Sequence, residues 1–562
     1  MSSPAFRSVR KPKLKRNLHN LGFENNLTTE FGRITPFMVT EVVPGDTMKI
    51  NVEMLIRMAA LYAPAFSRIN CFVRFYFSPY RLVSDDYETF ITGGEDGEGN
   101  ITFRNGTYRK AERLYLDVSA LHNPMITYYI DEWGLTTNEA EARFGSLFAR
   151  KSLYDYLGFP SWDVVEEMGY TEFWQHFTEK VDMTPFQMYH LMCNEFYRDE
   201  NFQEEVDIVK DGHGELYTYL MSATHQPYKT CEMIEALLTL RTTNYQKDYF
   251  TSALPWPQRG EDTTIGENDT AVYNTAENYR APVNSSYADI DMQQIATKLR
   301  VSGNIVASVN EFRRALAVQK FKEAMARVGA RYTEFLHGIF GTSPTDSKLQ
   351  RPEFLGGGRV PIAFGEVLQT SETNLTPQGT YAGRGIAGGR LPAVKSRYFD
   401  EGGFIIGVLT IVPKPFYMQG WPRKYSRFDR LDFFIPQFAN IGEQEILQKE
   451  LCFDYSTNDV GGTDPNQKIF GYIPRYSEFR WSPGEIHGDF RQTLLDWHTA
   501  RILQPVTDPQ RSMLNKDFLK VDNESANRIF NYRSGKFDHF WINIYNDVRA
   551  IRPIPKFGTP TI

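Results

Sequence analysis

The residues best suited to chemistry are scattered along this chain. Ten histidines occur in 562 residues, and no HExxH or HxH spacing brings two of them to one metal-binding face. Cys71, Cys193, Cys231 and Cys452 lie far apart with no CxxC. That pattern fits buried, reduced thiols, not a zinc knuckle or a disulfide framework. Neither a GxSxG nucleophile elbow nor a GxxxxGK[ST] phosphate loop is present. One GxGxxG exists, at Gly383, Gly385 and Gly388 in "YAGRGIAGGR". A dinucleotide site needs a strand before it and a helix after it, and the flanks "NLTPQGTYAG" and "GRLPAVKS" suggest neither, so a flexible glycine loop is expected. "GGEDGEGN" (93–100) offers carboxylates to Ca²⁺ without the EF-hand spacing and reads as a solvated turn. His190 and Glu195 fall close together on one expected helix, where a structural role is the simpler reading. No catalytic constellation, metal site or cofactor is expected.

The remaining chemistry is that of binding. Arg7, Arg10, Lys11, Lys13, Lys15 and Arg16 place six positive charges before the first acid, Glu24. Such an arm attracts phosphate by releasing condensed counterions, so residues 1–30 read as a basic N-terminal arm that contacts DNA. The net charge of −7 argues against a protein that coats nucleic acid over its whole surface. The second feature is "YFTSALPWPQRG" (249–260), in which Tyr249 and Phe250 lead to Leu254-Pro255-Trp256-Pro257. Each proline lacks an N–H and fixes φ, so the tryptophan is carried on a stiff extended segment outside helix interiors and central strands. These six residues are the candidates for an assembly interface, against the plainer alternative that the ring plugs its own core.

The elements that must position these features read as mostly β. Aromatic residues make up 14% of the chain, with 30 Pro and 41 Gly, which suggests short strands joined by long shaped loops. "TPFMVTEVVPGDTMKINVEML" (35–55) gives two β-like runs broken at Pro44-Gly45-Asp46. In "RINCFVRFYFSPYRL" (68–82), Ile69, Cys71, Val73, Phe75 and Phe77 alternate with Asn70, Arg74 and Ser78, the period of a half-buried strand. Residues 93–150 read as an insertion with helix of its own. Thr184, Pro185 and Gln187 suggest a capping box opening a helix with Phe186, Tyr189, Cys193 and Phe196 on one face. Ser308 and Glu311 suggest another, with Val318, Phe321, Met325 and Val328 on its apolar face. Residues 261–285 read as a surface excursion and 340–400 as loops. Strands are expected again at 402–412, 430–436, 476–481 and 539–545.

At about 150 residues per domain the length suggests roughly four domains. The order of elements favours one β domain over 31–562, with insertions near 93–150 and 261–300 and a mixed helical and loop segment over 151–400. No apolar run approaches the roughly 18–20 residues that cross a bilayer. "MSSPAFRSVRKPKLKR" lacks the apolar region of a signal peptide, so a soluble protein without membrane insertion is expected. Together these features favour assembly over catalysis.

A set of longer blocks then resembles the major capsid proteins of Microviridae, the small single-stranded DNA bacteriophages. "RTTNYQKDYFTSALPWPQRG" (241–260) looks like a signature of that family. Residues 41–94, "SLYDYLGFP" (152–160), "NEFYRDENFQ" (194–203) and "RYTEFLHGIFGTSPTDSKLQRPEFLGGG" (331–358) resemble further family landmarks. So do "QGWPRKYSRFDRLDFFIPQFANIGEQEI" (419–446) and "FGYIPRYSEFRWSPGEIHGDFR" (470–491), all in family order. The resemblance implies an eight-stranded antiparallel jelly roll with long loop and helix insertions. It implies self-assembly into a T=1 icosahedral shell around a circular single-stranded DNA genome, in virions assembled in the host bacterial cytoplasm. A small basic DNA-packaging protein, other minor virion proteins and a host cell-surface receptor are the further partners it implies. The texture is closer to gokushovirus-like members, which often carry a large surface insertion after the PWPQ block; here 261–300 is modest and 93–150 generous. The competing class is a jelly-roll carbohydrate- or receptor-binding protein; a cupin-type enzyme lacks its clustered His and Glu ligands here.

Overall fold

A computed structural model describes residues 15–94, 97–102, 108–164, 177, 179–258, 309–328, 332–341, 345–368, 381–440, 442–455, 464–503, 513–533 and 537–555. Its centre is a nine-stranded antiparallel sheet. The strands are β1 (Asn17–Asn20), β2 (Phe23–Thr29), β3 (Thr35–Val42), β4 (Thr47–Met58) and β5 (Ile69–Pro79). They are joined by β6 (Glu353–Leu368), β7 (Tyr381–Tyr398), β8 (Gly403–Pro413) and β9 (Phe540–Arg552). The order across the sheet is β1-β9-β4-β7-β6-β5-β8-β3, with β2 also paired to β9. Strands from the chain ends and from the chain middle therefore interleave in one sheet.

Period-two patterning builds the sheet. On β4, Met48, Ile50, Val52, Met54, Ile56 and Met58 are buried while Lys49, Glu53 and Arg57 face solvent. On β5 the expected row Ile69, Cys71, Val73, Phe75 and Phe77 is buried throughout. β9 lies on β4 with Phe540 opposite Met58 and Ile551 opposite Thr47, so its inward row Ile542, Ile544, Val548 meets the same core. Twist curls the sheet until its two edges approach. There Asn25 Nδ2 donates to the Phe37 carbonyl at 2.7 Å, and the Thr29 and Thr35 hydroxyls lie 2.7 Å apart. One core fills the curl, with Phe31 edge-on to Phe540 and Phe37 edge-on to Phe75. The mainly β, jelly-roll-type fold with helical insertions is as the sequence suggests; the sheet has nine strands, not eight.

A helical layer covers the outer face of β5 and β8. It contains α1 (Val118–Trp133), α2 (Thr137–Ser146), α3 (Thr184–Phe196), α4 (Leu216–Thr224) and α5 (Pro227–Leu238). Their buried rings, among them Tyr129, Phe144, Phe186 and Tyr189, pack with Tyr76, Ile406 and Val408 of the sheet. A third core joins residues 249–253 to the segments between Tyr417 and Leu519.

Several expectations change. Within the stretch read as an arm, Asn17–Asn20 and Phe23–Thr29 are strands paired to β9; polar side chains hid them, because an edge strand needs backbone pairing more than apolar residues. The capping box at Thr184 does not form: Met183 is the N-cap, and the Asp182 carboxylate accepts from the Thr184 N–H at 3.0 Å and its hydroxyl at 2.7 Å. Within residues 340–400, β6 and β7 replace the expected loops, and Gly383, Gly385 and Gly388 lie in β7. Glycine is used there for close approach: a Cβ on Gly383 would stand 2.7 Å from the Ala63 carbonyl oxygen. The strands expected at 430–436 and 476–481 are instead short 3₁₀ turns, Arg430–Asp432, Pro436–Phe438 and Ser477–Phe479. Their aromatic enrichment imitates a strand, but Pro436 and the left-handed Tyr476 break pairing. The expected helix is present as α6 (Val309–Val328), while Ser308 and residues 261–285 lie outside the described residues. On its expected apolar face Val318 and Phe321 are exposed and Met325 is half-buried.

Candidate assembly surfaces

The PWPQ segment is built from an Asp turn upward. Asp248 Oδ1 accepts from the Phe250 N–H at 3.1 Å and the Thr251 N–H at 2.8 Å, which folds the chain back on itself. Its other oxygen accepts from the Tyr417 hydroxyl at 2.8 Å. Tyr249 and Phe250 then point inward. Phe250 packs on Tyr417 at 4.7 Å, and the Tyr249 hydroxyl donates to Glu450 Oε2 at 3.0 Å. Burial raises the Glu450 carboxyl above its usual range, opposed by the Arg423 guanidinium 3.2 Å away. Burial and the nearby Glu450 likewise raise the Tyr249 phenol, so it stays a donor. Leu254 exchanges two backbone hydrogen bonds with Tyr472, each 2.8 Å, in spite of the proline beside it.

The six interface candidates thus divide. Tyr249 and Phe250 are core of this chain, a correction to their reading as contact residues. Leu254, Pro255 and Trp256 are half-buried, and Pro257 is exposed at the tip. The Trp256 indole nitrogen is buried without a hydrogen-bond partner. Of the basic arm, Lys15 and Arg16 are described and exposed, with the Arg16 guanidinium 5.3 Å from the centre of the Tyr398 ring. Arg7, Arg10, Lys11 and Lys13 lie outside the described residues.

The cysteines and His190 are buried. All four cysteines are free and buried. Burial pushes the Cys193 and Cys231 thiols up to about 12 and Cys452 up to about 11, far from the thiolate a nucleophile needs. Burial and the nearby Arg241 lower His190 to about 3, and its Nε2 lies 2.8 Å from the Leu237 carbonyl, a structural contact within the helical layer. Among the described residues no group of three or more His, Cys, Asp or Glu could hold a metal ion. No described helix is long and apolar enough to cross a membrane. A cleft of about 740 Å³ lies on the outer side of β2, β4 and β9 between Arg57, Lys151 and Trp541.

Sequence reasoning missed one surface. Residues 421–434 form a loop that turns Tyr425, Phe428, Phe433 and Phe434 to solvent, beside Phe479 and Trp481. The signal is the density of Phe, Trp and Tyr, which over 430–436 and 476–481 reads equally as strand.

A curled antiparallel sheet that carries helical and loop-rich layers and turns aromatic loops outward describes a shell-forming structural protein. The chain belongs to the capsid protein (F protein) family, whose model matches residues 7–562. It is 26% identical to capsid protein VP1 of Chlamydia phage 1, over 99% of this chain and 97% of that protein. It is 27% identical to capsid protein VP1 of Bdellovibrio phage phiMH2K over the same shares. With capsid protein VP1 of Spiroplasma virus 4 it shares 24% identity over 94% of this chain and 92% of that one. The resemblance to Microviridae major capsid proteins is thereby borne out, and the chain is a structural capsid protein of the virion.

Proposed function

We propose that this chain is the repeating subunit of a T=1 icosahedral shell that encloses a circular single-stranded DNA genome. The observation that carries the reading is the family match over nearly the whole chain, sheet and insertions together. The arm residues Arg7, Arg10, Lys11, Lys13, Lys15 and Arg16 meet genome phosphates without regard to base sequence. Six charges give weak, salt-sensitive contacts, and many copies in one shell make them sufficient. The exposed tip of the PWPQ segment contacts a neighbouring subunit. The protein acts without enzymatic activity or cofactor, assembles in the host bacterial cytoplasm, and meets a small basic DNA-packaging protein and minor virion proteins there. The relatives reported above are all named capsid proteins, which gives the carbohydrate- or receptor-binding alternative no support.

Electron microscopy and mass photometry of the purified chain test this. Uniform icosahedral particles of T=1 mass are expected. Monomers or irregular aggregates across a range of salt and pH would overturn it.

A further inference from the structure

The aromatic loop over residues 421–434 is not a loose excursion. Its backbone is pinned from several directions. The Trp421 N–H donates to the Lys449 carbonyl at 2.7 Å. Asp432 Oδ2 accepts from the Phe428 and Asp429 N–H groups at 3.2 and 3.1 Å. The Tyr476 hydroxyl receives the Ile435 N–H at 3.3 Å and donates to the Phe433 carbonyl at 3.2 Å. Tyr476 itself sits at φ 65°, an unfavourable region for a residue with a Cβ, and its N–H is held by Gln444 Oε1 at 3.0 Å. Strain at the anchor and a dense set of bonds mark a loop whose shape is specified.

What this scaffold displays is apolar. Tyr425, Phe428, Phe433, Phe434, Phe479 and Trp481 are each between 45% and 93% exposed, Phe428 most of all. Two pairs of them are neighbours: Phe434 and Phe479 lie 5.8 Å apart, and Tyr425 and Trp481 line one cleft of about 270 Å³. Their exposed fractions amount to about three and a half whole rings, roughly 700 Å² at about 200 Å² per ring. That is close to the roughly 800 Å² that one partner contributes to a stable protein interface.

Charge decides what the partner is. A single-stranded nucleic acid also stacks on rings, but it needs unpaired cations for its phosphates. Here three cations of the platform are matched within the chain. Arg427 pairs with Glu478 at 3.3 Å, Arg423 with Glu450 at 3.2 Å and Lys424 with Glu485 at 3.1 Å. Arg430 and Arg480 are exposed without an ion pair among the described residues, and Asp429 and Asp432 balance them in number, so the platform is near-neutral in sum. The Arg427 guanidinium is spent on its carboxylate and on the face of Phe479, 4.4 Å from the ring centre. A rigid, near-neutral aromatic surface is the composition of a protein contact, and its preorganisation spares the ordering entropy of binding.

We infer that the aromatic platform of residues 421–434, with Phe479 and Trp481, docks on a second copy of this chain. It is an intersubunit contact separate from the PWPQ tip. The inference rests on the reading of the chain as a shell subunit and names one of its contacts.

Two measurements test it. In wild-type protein, hydroxyl-radical footprinting compares free subunits with particles assembled without nucleic acid. Oxidation of Tyr425, Phe428 and Trp481 is expected to fall at least fivefold in particles. Unchanged oxidation of all three would overturn the inference. In the second, the full-length double variant Phe428→Ser/Phe433→Ser is compared with wild type for melting temperature, assembly and binding of a labelled 30-nucleotide oligothymidylate. Both rings are largely exposed in the subunit, so folding is expected to be unchanged while the critical concentration for assembly rises at least tenfold. Normal assembly of the variant would overturn the inference, and normal assembly with lost oligonucleotide binding would reassign the platform to DNA. If wild type forms no particles at all, the capsid reading fails and not this contact alone.

Discussion

The glycine run of β7 offers a paired test of why a segment that resembles a phosphate loop is a strand. Gly383→Ala and Gly389→Ala change the same residue type in the same strand, six positions apart. A Cβ at Gly383 would meet the Ala63 carbonyl oxygen at 2.7 Å and Pro64 Cα at 2.9 Å, both main-chain atoms. A Cβ at Gly389 would meet nothing within 4 Å. Neither glycine has a positive φ, so backbone strain does not enter. At Gly383 the segment after β4 must move, which costs about 1–3 kcal/mol of overpacking. It also breaks the Leu61 N–H bond to the Gly383 carbonyl at 3.1 Å, worth about 1 kcal/mol. Alanine returns about 0.5–1 kcal/mol through lower unfolded-state entropy at either site. The expected outcomes are a loss of about 1–3 kcal/mol at Gly383 and a gain of up to about 1 kcal/mol at Gly389. Urea unfolding of unassembled subunits reads the midpoints, and hydrogen exchange at the Leu61 amide reports the local break. Equal effects at the two sites, or an unchanged Leu61 amide in Gly383→Ala, would refute the close-approach argument.

His539 gives the subunit a pH dependence. Burial works to lower its value, but Nδ1 is 2.7 Å from Glu30 Oε1 and Nε2 is 2.7 Å from the Tyr532 carbonyl, and these acceptors raise it overall. A raised folded-state value means that the stabilisation is complete below the unfolded value of about 6.5 and is lost as pH rises through the folded value. Wild-type melting temperature should therefore decline above about pH 6.5 more steeply than that of His539→Gln, and parallel curves would contradict this. Replacing Arg7, Arg10, Lys11, Lys13, Lys15 and Arg16 by Ala should lower the genome content of particles and flatten its salt dependence; unchanged packaging would reassign the arm to subunit contacts. Trp256→Ala should reduce particle yield more than it lowers subunit melting temperature, and shells formed at wild-type yield would remove Trp256 from the interface.

Strands whose own side chains alternate were legible from the chain alone. β3, β4, β5, β8 and the start of β9 fall where strands are expected: β4 and β5 by period-two alternation, because one face must be apolar to meet the core, and β8 by a continuous apolar run, because the helical layer covers its other face. The helix at residues 184–196 was legible in extent but not in its cap, since Asp182 and Thr184 offer competing oxygens two residues apart. Strands that owe their existence to partners were invisible. β1 and β2 are polar and are held by β9, more than 500 residues away in the chain. β7 has glycine at 383 and 385 where Ala63 and Met58 press against it, a reason no local window contains.

The sites divide along the same line. Block order along the chain determined the family, because it depends only on residues in sequence. Composition determined that aromatic rings would be used for packing or contact. Only the tertiary structure decided which rings do which. Tyr249 and Phe250 share one short motif with Trp256, yet the turn at Asp248 sends them into the core and leaves the Pro257 tip outside. Phe433 falls in a stretch that reads as strand, yet 3₁₀ turns pinned by Tyr476 hold it in solvent. Burial is a property of what lies across space from a side chain, and the chain order of this interleaved sheet places those neighbours hundreds of residues away.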